Sequence, residues 1–114
     1  MAQTPDTTIT TQRAYELMQN DTNIVILDVR RLDEFASATG HLENAILIPV
    51  EKLEDRFTEL EPYKNKTIIA VCRTGNRSGR ATAFLNARGY TVVNLLGGIV
   101  KWNEEKLPVV KVTK

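Results

Sequence analysis

The stretch Thr67-Ile68-Ile69-Ala70-Val71-Cys72-Arg73-Thr74-Gly75-Asn76-Arg77-Ser78 decides the fold of this chain. Its first part, residues 67–71, is an apolar run of β-type residues and predicts a strand. The polar part that follows contains a glycine and predicts a turn, and a helical pattern of apolar residues starts at Ser78. Cys72 therefore stands at the carboxyl end of a strand, at the point where the chain turns toward a helix.

Similar strand and helix signals lie on both sides of this unit. The run at residues 24–27 has no polar alternation, which is typical of a strand covered on both faces, and shorter strands are predicted at residues 45–48 and 92–93. Strands that alternate with helices predict an α/β domain with a mostly parallel sheet flanked by helices on both faces. The predicted helices are one capped by Thr10 or Thr11 with Ala14, Leu17 and Met18 on one face, one with Leu53, Phe57 and Leu60, one from Ser78 to Arg88 ended by Gly89, and a short one with Val100 and Trp102.

The size and charge of the chain limit its organisation and its partners. With 114 residues it is long enough to bury a core, so we expect one domain over residues 1–114 with the ordered core at about 7–112. Lysine and arginine number 15 and aspartate and glutamate 14, with no long block of either sign. This balance predicts neither nucleic-acid nor membrane binding, and it favours small anions or other proteins as partners.

The cysteine content indicates a reducing compartment. Cys72 is the single cysteine and His41 the single histidine, so the chain can form neither an internal disulfide nor a structural zinc site. The first twelve residues lack the basic start and apolar core of a secretory signal, and no apolar run approaches the length of a membrane span. We therefore expect a cytoplasmic protein that binds no metal.

The residues around Cys72 are those that favour a thiolate. Arg73 and Arg77 bring positive charge, and the peptide N–H groups of a glycine-containing turn at a helix start can point toward the sulfur. Gly75 permits a positive φ there. The alternative is a buried structural cysteine followed by an ordinary turn, but packing alone does not explain two arginines beside a Gly-Asn turn. A reactive thiol in an anion-binding loop is the preferred interpretation.

At this point the sequence resembles the rhodanese-like domains, specifically the small single-domain thiosulfate sulfurtransferases. The resemblance covers nearly the whole chain, with two departures: residues 36–39 make one loop longer than is common, and Asn44 replaces a usual glycine. The motifs that carry the resemblance are Leu27-Asp28-Val29-Arg30, Asp33-Glu34-Phe35, Gly40-His41-Leu42, Ile48-Pro49, the loop from Val71 through Cys72 to Ser78, Gly89-Tyr90, and Leu96-Gly97-Gly98-Ile99 with Trp102.

The resemblance implies a sulfurtransferase with Cys72 as the nucleophile. The thiolate would take a sulfane sulfur from thiosulfate or a similar donor, hold it as a persulfide and pass it to cyanide or a thiol; a sulfur-relay protein is a further possible partner. No cofactor is implied besides this covalent persulfide, which an external acceptor must discharge because the chain has no second thiol. Arg73 and Arg77 would bind the sulfite portion of the donor, and the loop residues Arg73, Thr74, Gly75, Asn76, Arg77 and Ser78 would form the substrate and persulfide cradle.

Other polar residues allow both functional and structural interpretations. Asp28 and Arg30 follow a strand and should emerge near Cys72, where Asp28 could orient Arg77 and Arg30 could add positive potential; a structural ion pair is equally compatible. His41 lies in a turn and is preferred as structural over a role as general base. Glu34 is expected to cap or pair near the start of its helix.

Two further functions are compatible with a cysteine loop of this kind. Cysteine phosphatases and arsenate reductases share a Cys-loop-Arg-Ser pattern, but they place five residues between cysteine and arginine, and here only residues 73–76 intervene. Such a loop should be too small for a phosphoryl group. A non-catalytic docking module is the other alternative, and the intact cysteine and both loop arginines argue against it.

Overall fold

The structure of the protein is a computed structural model that describes residues 7–112. Strands and helices alternate along this part of the chain, and 3-10 turns at Val50–Lys52 and Phe57–Tyr63 flank one short helix. The elements are β1 (Thr8–Ile9), α1 (Thr11–Asn20), β2 (Ile24–Asp28), α2 (Leu32–Phe35), β3 (Ile46–Leu47), α3 (Leu53–Arg56), β4 (Thr67–Val71), α4 (Asn76–Asn86), β5 (Thr91–Leu95) and α5 (Gly98–Glu104).

The sheet has the order β1-β5-β4-β2-β3, and all neighbouring strands in it are parallel. The predicted α/β class with a parallel sheet is therefore confirmed. β4 lies at the centre, between β2 and β5, so the residue that follows it, Cys72, lies at the carboxyl edge of the sheet. Ligands of open parallel sheets bind at this edge. The short edge strand β1 is too brief to produce a pattern and was not predicted.

Hydrophobic cores on the two faces of the sheet hold the helices in place. Along β4, Ile68 and Ala70 pack into one core, whereas Ile69 and Val71 pack into the other, as the two-residue period of a strand requires. The first core includes Leu85 of α4, and the second is built around Trp102 of α5. Each face of β4 is thus covered, which explains why its sequence shows no polar alternation.

The local predictions were confirmed at the caps and were wrong inside one segment. Thr10 caps α1 by accepting the Arg13 N–H at 3.1 Å. Gly89 has φ +91, and the Tyr90 N–H bonds to the Leu85 carbonyl, so the chain turns at the predicted glycine, although α4 itself ends at Asn86, two residues before the predicted Arg88. The helix predicted through Leu53, Phe57 and Leu60 is instead one turn of α-helix between 3-10 turns, and the second 3-10 turn contains Pro62, which cannot donate a backbone hydrogen bond.

Two further features depend on residues with a positive φ: the conformation of Asn44 and the start of α4. Asn44, which stands where the resemblance predicts glycine, has φ +61, a conformation that asparagine adopts more readily than most residues. The helix after the cysteine loop begins at Asn76 rather than at Ser78, because Gly75 with φ +117 turns the chain directly into it. Within residues 7–112, no helix is long and apolar enough to cross a membrane.

Candidate active site

The loop of residues 72–75 connects β4 to α4 and is supported from below by the start of α5. The Ile99 N–H donates to the Cys72 carbonyl at 2.9 Å, and the Val100 N–H donates to the Arg73 carbonyl at 3.1 Å. Gly98 allows this approach, since a Cβ at that position would lie 2.5 Å from the Cys72 carbonyl oxygen. The backbone of Gly98 therefore packs directly against the cysteine loop and fixes its position.

The Cys72 sulfur lies inside the loop, within hydrogen-bond distance of two donors. The Gly75 N–H lies 3.0 Å and the Ser78 hydroxyl 3.2 Å from Sγ, and Cys72 is only 1% exposed. Burial acts to raise the pKa of the thiol, but the Ser78 hydroxyl and the backbone N–H groups of Ser78, Gly75 and Thr74 act more strongly together, so the pKa lies below its usual value. A lowered pKa increases the fraction of thiolate, which is the nucleophilic form of cysteine.

Arg77 is held by a carboxylate that the sequence did not connect with it. Its Nη1 and Nη2 donate to the two carboxylate oxygens of Glu34 at 2.7 and 2.8 Å. The hydrogen bond from Arg77 lowers the pKa of Glu34 from 4.5 to about 2, because it stabilises the charged form. Glu34 also accepts the Arg31 N–H at 3.0 Å, which confirms its predicted capping position. Only tertiary structure could reveal the contact with Arg77.

The hydrogen bond suggested between Asp28 and Arg77 is not formed, because Asp28 is bound to Arg30. Arg30 donates to both carboxylate oxygens of Asp28, at 2.9 and 2.7 Å, and its remaining donors reach Thr39 and the Gly40 carbonyl. Both side chains are 1% exposed. These contacts make the pair a structural tie between the end of β2 and the loop before His41, although Arg30 also lines the cleft beside Arg73.

Arg73, in contrast, is exposed at the mouth of the loop, where its guanidinium makes no ion pair or hydrogen bond with the described residues. It lines a cleft together with Asp33 and Glu34 from α2. Thr74 and Asn76 are exposed at the same mouth. Arg73 is therefore the guanidinium of this site that is available to an incoming anion.

The contacts of His41 are with Phe35 and Val110. Its Nδ1 lies 3.2 Å from the Phe35 carbonyl, its ring stacks on the Phe35 ring with centroids 3.7 Å apart, and its backbone pairs with Val110. These contacts agree with the structural interpretation. Among the described residues, no group of three or more His, Cys, Asp and Glu side chains is arranged to hold a metal ion.

Asn94 is the residue of this site that the sequence analysis missed. It lies on β5, where its Nδ2 donates to the Gly75 carbonyl at 3.1 Å and its Oδ1 lies 2.5 Å from the Ser78 hydroxyl. One amide thus contacts both ends of the turn that surrounds the sulfur. The available signal was a polar residue inside the apolar run of β5, at a position next to the strand that carries Cys72.

Comparison with known proteins relates this chain to named sulfurtransferases. The chain is 34% identical to a sulfurtransferase of Allochromatium vinosum, over 77% of this chain and 79% of the relative. It is also 34% identical to the thiosulfate sulfurtransferase PspE of Escherichia coli, over 64% of this chain and 68% of the relative. Relatives named tRNA uridine(34) hydroxylase match too, but the chain spans less than a third of their length.

The fold comparison leads to the same family. The structure of a rhodanese-related protein from Thermoplasma volcanium superposes with a TM-score of 0.81 at 35% identity, covering 90% of this chain and 96% of that protein. The family model described as "Rhodanese-like domain" matches residues 10–105, which include every element from α1 to α5 and the whole cysteine loop. This chain belongs to the rhodanese-like domain family.

Proposed function

We propose that this protein is a sulfurtransferase that carries sulfur as a persulfide on Cys72. The observation that supports it most is the sulfur itself, which lies in a loop where the Gly75 N–H and the Ser78 hydroxyl are within hydrogen-bond distance and lower the thiol pKa. The same donors suit a terminal persulfide sulfur, which is also an anion at neutral pH. These donors can therefore stabilise a sulfur anion on Cys72 both before and after the sulfur is taken up.

The reaction consists of two displacements. The Cys72 thiolate attacks the outer sulfur of thiosulfate; an Sγ–S bond forms, the S–S bond of the donor breaks, and its electron pair leaves with sulfite. Cyanide or a thiolate then attacks the outer sulfur of the persulfide, and the Cys72 thiolate is restored as the thiocyanate or new persulfide departs. Covalent catalysis of this kind divides one transfer into two simpler steps.

Arg73 is the residue we assign to the sulfite oxygens of the donor. It is free at the mouth of the loop, whereas the fork of Arg77 is already occupied by Glu34. A guanidinium is suited to oxyanions because it donates from a planar fork. Arg77 contributes positive charge near the sulfur and, through Glu34, holds α2 against the loop. The preference of the site is therefore for an anionic donor.

Loop length argues against phosphoryl transfer as an alternative. Four residues, 73–76, separate Cys72 from Arg77, one fewer than in the loop of the cysteine phosphatases. A loop of this size encloses one sulfur atom rather than a tetrahedral oxyanion. We further propose a reducing compartment, the cytoplasm, because the single cysteine must remain a thiol to react.

The test is the intact mass of the reduced protein after incubation with thiosulfate. We expect the wild type to gain one sulfur atom, cyanide to remove it, and Cys72→Ser to gain none. The docking-module alternative would replace the proposal under two conditions: the protein gains no sulfur from thiosulfate, a polysulfide or a protein persulfide, and it captures a partner protein.

The donor assignment is tested in the steady state. We expect Arg73→Gln to reduce kcat/KM for thiosulfate about tenfold, the effect of losing one charge-assisted hydrogen bond. Arg88→Gln is the matched control. It removes the same charge as Arg73→Gln, but Arg88 is an exposed residue beyond the other end of α4. An equal effect of both substitutions would mean that only the net charge matters.

A further inference from the structure

The Ser78 hydroxyl faces two acceptors with one proton. Its oxygen lies 3.2 Å from the Cys72 sulfur and 2.5 Å from Oδ1 of Asn94, and Ser78 is fully buried. A hydroxyl carries a single O–H, so it cannot donate to the sulfur and to the amide at the same time. The direction of this one bond therefore affects the chemistry of Cys72.

The orientation of the Asn94 amide is determined by the loop. Nδ2 lies 3.1 Å from the Gly75 carbonyl oxygen, which can only accept a hydrogen bond. The opposite orientation would place two oxygens, Oδ1 and the Gly75 carbonyl, against each other. The hydrogen-bond network thus assigns Oδ1 to the Ser78 side, where it can only accept.

We propose that Asn94 is a positioning residue that draws the Ser78 proton away from the sulfur and so limits the reactivity of Cys72. In the thiol state, the Cys72 S–H donates to the Ser78 oxygen, and the Ser78 O–H donates to Asn94. On ionisation the hydroxyl turns to the thiolate and gives up its bond to Asn94. This inference deepens the proposed function, because it identifies a group that controls the nucleophile without touching the substrate.

The charged groups around the sulfur take no part in the hydrogen-bond relay that Cys72, Ser78 and Asn94 form. Arg73 and Arg77 belong to the loop and to α4, Glu34 comes from α2, and Glu51 from the 3-10 turn after β3 acts on Arg77. At the end of β2, Asp28 and Arg30 neutralise each other. Asn94 is neutral, so its replacement by an apolar residue leaves all of these charges in place.

The experiment is a pH titration of the thiolate absorbance in the ultraviolet, using the full chain. Cys72 is the only cysteine, so this signal reports that thiol alone after subtraction of the Cys72→Ser spectrum, which removes the tyrosine contribution. We expect Asn94→Leu to lower the pKa of Cys72 by about 1, because the Ser78 proton becomes available to the thiolate. Asn94→Ala is the second variant if the leucine variant does not fold, with the same expected direction.

A second background separates the relay from a general effect on the loop. In Ser78→Ala, where the relay is absent, Asn94→Leu should leave the thiol pKa unchanged. Asn86→Leu is the matched control, because the Asn86 amide also bonds to backbone, at both the N–H and the carbonyl of Val92, but lies away from the sulfur.

Two outcomes would overturn the inference: a thiol pKa that stays or rises in Asn94→Leu, or an equal fall with and without Ser78. The titration requires no sulfur donor, so its result does not depend on whether the protein transfers sulfur. Failure of the Asn94 inference can therefore be distinguished from failure of the proposed function.

Discussion

Replacing Glu34 by glutamine should destabilise the protein in a pH-dependent manner. Glu34 and Arg77 are 43 residues apart in sequence and join α2 to α4 by a bidentate ion pair, with side chains 21% and 22% exposed. Glu34→Gln keeps the size of the side chain and removes its charge. The pair connects elements on either side of the cysteine loop, so its strength contributes directly to how firmly the site is held.

The magnitude follows from the pKa of Glu34. The hydrogen bond from Arg77 lowers it from 4.5 to about 2, and at about 1.4 kcal/mol for each pKa unit this difference corresponds to about 3 kcal/mol. Screening by solvent at a partly exposed pair reduces the expected loss to about 1–2 kcal/mol. Because the folded pKa is depressed, the contribution is complete above pH 4.5 and disappears as the pH falls toward 2.

The assay is urea denaturation of the wild type and of Glu34→Gln, followed by circular dichroism at several pH values. The difference in unfolding free energy between the wild type and Glu34→Gln should have its full size at neutral pH and should decrease as the pH falls below 4.5. Glu59→Gln is the matched control, since Glu59 forms a similar bidentate pair with Arg56. The side chains of this pair are more exposed, 53% for Glu59 and 39% for Arg56, so the loss of unfolding free energy should be smaller. Equal losses in both variants, or a gap that does not change with pH, would refute the reasoning.

Two other substitutions test how the loop and the end of β2 are held. Arg30→Leu leaves the buried carboxylate of Asp28 without its partner and should lower the free energy of unfolding by about 3–5 kcal/mol in urea denaturation; a loss of about 1 kcal/mol or less, typical of a surface pair, would contradict this. Gly98→Ala places a Cβ 2.4 Å from the Arg73 carbonyl oxygen at φ +58 and should cost about 2–4 kcal/mol, with reduced sulfur loading in the mass assay. An unchanged melting temperature would show that the loop can move away from α5.

Features that depend on neighbouring residues in the chain were predictable from the sequence. The strand before Cys72 could be identified because four apolar residues in succession are typical of a strand buried on both faces, as β4 is. The helix stop at Gly89 and the cap at Thr10 depend on residues within one turn of each other. The strand predicted at residues 45–48 is likewise found, as β3. By contrast, the two-residue strand β1 is too short for a periodic signal, and the segment that contains Pro62 has helical spacing but forms 3-10 turns.

The partners of the charged and amide side chains could not be predicted in the same way. Asp28, Arg30, Glu34 and Arg77 are all visible in the sequence near the expected edge of the sheet, and several pairings among them are chemically reasonable. Of the two interpretations left open, the hydrogen bond of Asp28 with Arg77 is not formed, whereas the structural ion pair is found: Arg30 follows Asp28 closely enough to form a buried bidentate pair with it. Arg77 then pairs with Glu34, whose helix lies across the cleft.

The sequence by itself determined the α/β class, the position of the thiol at the end of a strand, and the loop that follows it, because each depends on local periodicity and on residues a few positions apart. Only the tertiary structure decided which side chains surround the sulfur. Parallel strands bring Asn94 of β5 beside the loop after β4, and the packing of α2 brings Glu34 to Arg77. Such contacts join residues that are distant along the chain, and their choice depends on the packing of whole elements against one another.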